Sequence, residues 1–236
     1  MSIPAVLRPQ GHNRALEPES CRTRVTRYIT DCTGIRLDHH LEHLVEFVDY
    51  GEAMGALREQ GLREVPDGED LIGLAMDDTH DVVHLHLAFA ESSCKPHDGA
   101  EVVPIDKARL PDIVEHLLHK LHLSQVLLIP VAKWRKVFDA VAFSMADNED
   151  WQVVDTAATV VLNTRDPLLC EPADFHTINA LIKALLSDAE NPDQGLMVTT
   201  TTAPVIVKLV PDGAVCISIG DPVLADEVME TFGSTR

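Results

Sequence analysis

The stretch 81–90, DVVHLHLAFA, alternates with period two, and this constrains the chain more than any other feature. Val83, Leu85, Leu87 and Phe89 fall on one face and are all apolar; Val82, His84, His86 and Ala88 fall on the other. Successive side chains in a strand point to opposite sides, so the pattern predicts a strand with one face in a core. The two imidazoles then point the same way, about 7 Å apart. What the strand can do depends on what covers that second face.

The surrounding segments predict both strands and helices. Asp38 caps a helix over 38–60 with Leu41, Leu44, Val45 and Val48 as its apolar stripe, and Gly61 ends it. Further helices are expected over 110–122, 133–146 and around Phe175–Asp188, with a last one capped by Asp221 and opened by Pro222. Strands are expected over 22–30, 71–76 (a hairpin partner for the histidine strand), 101–105, 125–131, 152–155, 158–163, 196–201, 205–210 and 214–219. This order predicts an α+β fold, a mixed or antiparallel sheet or sheets packed with helices. Residues 1–20, with Pro4, Pro9, Gly11 and Pro18 and no periodicity, read as a mobile tail. The remainder divides into an α+β lobe over 21–146 and another over 147–236, or forms one continuous domain over 21–236. The lobes share landmarks: Val82-Val83 before Cys94-x-Pro96, and Val160-Val161 before Cys170-x-Pro172, each followed by a leucine-rich helix and a strand. An internal duplication giving two similar lobes is therefore an expectation to test.

Charge and cysteine usage narrow the partners. Apolar residues make up 45% of 236, enough for a sizeable core, while aromatics at 4% make that core aliphatic. A net charge of −19 argues against nucleic-acid and anionic-membrane binding, both of which need a positive field. Arg22, Arg24 and Arg27 are too few to reverse that balance and read as an exposed strand edge. Cys21, Cys32, Cys94, Cys170 and Cys216 lie far apart, with no C-x-x-C pair, and no export signal opens the sequence. Thiols in a reducing cytoplasm are expected.

The 12 histidines are an unusual load, and most fall in three clusters. The first, 38–43, contains H-x-x-E-H as His39, Glu42 and His43; two histidines four apart share a helical face suited to zinc, with Glu42 beside them as general base. These residues resemble the inverted zinc-peptidase motif of the pitrilysin family. The resemblance implies a third ligand, a glutamate on a later helix, for which Glu115 is the natural position. The second cluster is His84 and His86, with His80, Asp77, Asp78 and Asp81 in the adjoining turn; a strand His-x-His begins many metal sites but needs a third ligand. The third, His116, His119 and His122, spreads opposite a leucine stripe and reads as a solvated helix face. No G-x-S-x-G, Walker A or G-x-G-x-x-G occurs.

No complete catalytic constellation can be named, so the leading expectation is a non-catalytic cytoplasmic binding, regulatory or assembly module. It would be acidic, would associate with itself or with a protein partner, and would carry no cofactor; a small-molecule ligand is not specified by the sequence. The alternative is a zinc-dependent hydrolase built on His39, Glu42, His43 and Glu115, or on His84 and His86.

Overall fold

A computed structural model describes residues 46–88, 95–96, 99–211 and 213–233. In chain order its elements are β1 (Glu46–Phe47), α1 (Tyr50–Glu59), β2 (Leu62–Pro66), β3 (Ile72–Met76), β4 (Val83–Ala88), β5 (Glu101–Pro104), α2 (Leu110–Lys120), β6 (Val126–Pro130), α3 (Trp134–Val141), α4 (Glu149–Ala158), β7 (Leu168–Cys170), α5 (Phe175–Asp188), β8 (Leu196–Thr199), β9 (Val205–Val210), β10 (Ala214–Ile219) and α6 (Pro222–Gly233). Eight strands form one sheet in the order β1-β7-β6-β8-β9-β10-β4-β5, and β2 and β3 form a separate two-stranded sheet. Only β4 and β5 run parallel among these pairs. The architecture is α+β, as the order of patterns predicts.

Alternation along each strand sorts the interior into two layers. On one side of the sheet lie Leu85, Leu87, Val126, Leu128, Val198, Val207, Val215 and Ile217, packed against Val114, Leu117, Trp134, Val137, Trp151, Val154, Phe175, Leu181, Leu185 and Val228 of the helices. On the other side lie Leu127, Ile129, Met197 and Ile206, covered by Met54 and Leu57 of α1 and Leu62, Ile72 and Met76 of the β2–β3 hairpin. Every residue of β6 is buried because this strand is covered on both faces, which is why its sequence, VLLIP, is a continuous apolar run rather than an alternating one.

The helices α2 and α5 pack together through their stripes, and Asn179 ties the seam by donating from Nδ2 to Asp112 Oδ1 (3.0 Å) and Glu115 Oε2 (2.6 Å). At the far edge of the sheet β5 is blunted. The Ile105 amide donates to Ala88 O at 3.0 Å, so amides of that parity face β4 and Pro104 presents its missing donor outward.

Three expectations need correction, and a fourth is not confirmed. The helix does not run continuously to residue 60 from before residue 46: Glu46–Phe47 pair with β7, and Asp49 caps α1 by accepting from the Glu52 amide at 3.0 Å. Residues 38–45 lie outside the described residues. Strand β3 pairs with β2, not with the histidine strand, which pairs with β10 instead. Gly61 makes this pairing possible: at φ 73° it turns the chain from α1 straight into β2, and a Cβ there would collide with His80 Nε2. Residues 152–155 and 158–163 are not strands. Asn148 accepts from the Trp151 amide at 2.8 Å, Glu149 and Asp150 occupy the first turn, and Trp151, Val154 and Ala158 bury one face, so α4 forms despite its valines. The internal duplication is not confirmed, since Val83 sits in β4 whereas Val160 and Val161 follow α4 in a turn.

Candidate functional site

The second face of the histidine strand continues across its neighbour in the sheet, β10. The register sets His86 opposite Cys216 and His84 opposite Ser218, and Cys216 is in turn opposite Lys208 of β9. Both pairs are in polar contact: His86 Nδ1 is 3.3 Å from Cys216 Sγ, and His84 Nδ1 is 2.9 Å from Ser218 Oγ. His86 is 2% exposed, while His84, Cys216 and Ser218 are half-buried. Lys208 is held by an ion pair to Asp67, in the turn after β2. His84, His86 and Cys216 have further polar or electrostatic neighbours. The arrangement joins two nucleophile–imidazole pairs in adjacent cross-strand rows, one of them in register with Lys208, whose ammonium pairs with Asp67.

His80, expected to join this cluster, sits elsewhere. Its Nε2 is 3.1 Å from Gln60 O, and its ring packs against Gly61 and Gly220, where side chains would collide with it. It fastens the β3–β4 turn over the end of α1. Asp77 beside it is held below the usual carboxylate range by hydrogen bonds from the Thr79 hydroxyl and amide, with His80 adding to the effect.

Of the residues considered for the peptidase-like zinc site, His39, Glu42 and His43 lie outside the described residues. Glu115 is half-buried at the α2–α5 seam, with one oxygen on Asn179 and the other 3.9 Å from His119 Nε2. His116, His119 and His122 are exposed, as the leucine stripe predicts, although the His119 ring also leans on Phe175 at 5.0 Å. Among the described residues no group of three or more His, Cys, Asp or Glu is placed to hold a metal ion. Among them, too, no helix is long and apolar enough to cross a membrane.

A second surface lies on α3 and α4. Phe143 is 93% exposed and Val160 76%, and Val153 on the outer side of α4 is exposed as well. The start of α3 adjoins the segment after α4, because the Arg135 amide donates to Leu162 O at 2.8 Å. Lys133, Arg135 and Lys136 are therefore exposed at the Val160 end, with Lys136 Nζ 2.9 Å from Asp193 and its ammonium held above the ordinary range by that carboxylate. At the Phe143 end Asp147, Glu149 and Asp150 are exposed, and Ser144 bonds Asp188. Lysine and arginine gather at one end, with Asp193 and Asp139 beside Lys136, and carboxylates at the other, about 15 Å apart along α4.

Compared with family models, with curated proteins and with solved structures, the chain matches none.

Sequence reasoning missed Cys216, Ser218 and Lys208 as neighbours of the histidines. The signal was present in two separate places: AVCISI and VHLHLA both alternate, each with polar or reactive side chains on one face. Nothing in either run tells that they pair. Phe143 had a clearer signal, since it falls off the Trp134, Val137, Phe138, Val141 stripe.

Proposed function

We propose that the protein is a non-catalytic assembly module that pairs with a second copy of itself through the α3–α4 surface. The observation that carries this reading is Phe143, an aromatic ring at 93% exposure at the carboxylate-rich end of the surface. Single exposed aliphatics are ordinary on a protein surface. A fully exposed phenyl ring, in a chain with 6 Phe among 236 residues, is better explained as an anchor.

A two-fold interface places residue i against j and j against i. Around an axis near Val153, Phe143 of one copy meets the Val160 end of the other, and Lys133 and Arg135 meet Asp147 and Glu149. Each end thus finds its complement, which a chain of net charge −19 needs before two copies can approach.

Sedimentation velocity at micromolar concentration tests this. A dimer is expected for the native chain. The double variant Phe143→Asp, Val160→Asp should be monomeric with an unchanged Tm, because neither side chain is buried. Lys133→Glu with Arg135→Glu should also give monomer, and adding Asp147→Lys and Glu149→Lys should restore the dimer. A native monomer, or a dimer indifferent to all of these, would sink the proposal.

A further inference from the structure

We propose that Cys216 is a reactive thiol, activated by His86 and Lys208, that exchanges with small-molecule disulfides. Thiols react as thiolates, and a thiol beside histidine and lysine ionises more easily than one alone. Cys216 has both neighbours in one cross-strand row, with His86 Nδ1 at 3.3 Å on β4 and Lys208 opposite on β9. Also on this face are His84 and Ser218 one row away, and Asp67, which holds the Lys208 ammonium; Cys216 and His86 have further polar or electrostatic neighbours besides. Cys216 is half-buried, unlike the buried Cys170.

Cys170 provides the internal contrast. It lies in the helical core, where burial and then Asp174 push its thiol far above the ordinary range. Two cysteines of one chain are thus set to opposite reactivity by their surroundings.

The step balances without a cofactor. Neutral His86 with its proton on Nε2 takes the thiol proton on Nδ1. The Cys216 sulfur then attacks one sulfur of the disulfide; the new S–S bond forms as the old one breaks. Cys216 is oxidised to a mixed disulfide, the incoming disulfide is reduced, and its leaving thiolate takes the proton from the imidazolium. An excess of small thiol reverses the reaction.

The experiment uses the full chain under native conditions, with iodoacetamide as the probe of nucleophilicity and glutathione disulfide as the exchange partner. Labelling of each cysteine is read by peptide mass spectrometry across pH. Cys216 should label with a midpoint below the free-thiol value of about 8.5, and Cys170 should stay unlabelled. His86→Gln should raise the midpoint and slow labelling at pH 7 about tenfold, and Lys208→Gln should act in the same direction more weakly. Glutathione disulfide should give one mixed disulfide at Cys216, reversed by reduced glutathione. A wild-type midpoint at or above about 8.5 overturns the proposal regardless of how the variants fold. So does a midpoint that neither substitution moves, or the absence of the Cys216 adduct.

Discussion

His176 shows how single contacts set behaviour that composition only hints at. In this acidic chain His176 has a specific carboxylate partner: Nε2 is 2.9 Å from Asp150 Oδ2, linking the start of α5 to the start of α4. That hydrogen bond is the main reason its pKa is raised; burial works against it, and the Ala173 backbone and the Asp150 and Asp174 charges add to the rise. The folded pKa exceeds the unfolded one, so the pair stabilises the fold fully below about pH 6.5 and the contribution fades as pH rises through the folded value. Both side chains are well exposed, which keeps the contribution small. NMR titration should place His176 above the ordinary histidine value, and Asp150→Asn should bring it down; a His176 already at the ordinary value would contradict the contact. Tyr50 shows the same logic for a phenol. Burial, then the hydrogen bond to Glu64 at 2.6 Å, hold it far above its ordinary range.

At the scale of elements, α4 is where local signals compete. Val153-Val154 and Val160-Val161 favour strands, while Asn148 and the acidic first turn favour a helix start. The helix wins because Trp151, Val154 and Ala158 bury one face, with Trp151 stacked on Phe138 at 4.7 Å. The cap is then part of the balance: Asn148→Ala should cost about 1 kcal/mol in urea unfolding, whereas Asn148→Asp should be near neutral. If the segment were strands, both substitutions would be silent. The α1 boundary follows the same rule, with Asp49 capping and Val48 tied by its amide to Pro167 O at 2.8 Å rather than extending the helix.

Across the whole molecule, one sheet joins elements from both halves of the chain. Strands β7, β8, β9 and β10 interleave with β1, β6, β4 and β5, and the helical layer contains Leu85 as well as Leu185. Such a core should unfold as a unit. Tryptophan fluorescence, reporting Trp134 and Trp151, and far-UV circular dichroism should show coincident thermal transitions. Trp134 is fully buried, meets Phe47 at 5.6 Å and donates from its indole to Asp166 O at 2.7 Å. Trp134→Ala should therefore lose about 3–5 kcal/mol and lower both transitions together. Separated transitions would divide the chain into independent units.

What the sequence determined by itself is whatever depends on near neighbours. The alternation at 83–88 made a strand with Leu85 and Leu87 inward, the leucine stripes made α2 and α5, the run at 126–130 made a buried strand, and Asp221-Pro222 started α6, with Asp221 accepting from the Val223 amide at 2.8 Å. Those outcomes follow from side-chain period and capping within a few residues. Tertiary structure alone decided which strands pair. Period two says that His84 and His86 share a face, but it leaves open which strand lies beside them, since any half-buried strand of the chain satisfies the same alternation. Here β10, about 130 residues later, brought Cys216 to His86 and Ser218 to His84. The same indeterminacy hid β7, three residues long and held as a strand by pairing with β1 and β6. Short strands and reactive cross-strand pairs owe their existence to neighbours distant in sequence, and no local pattern records them.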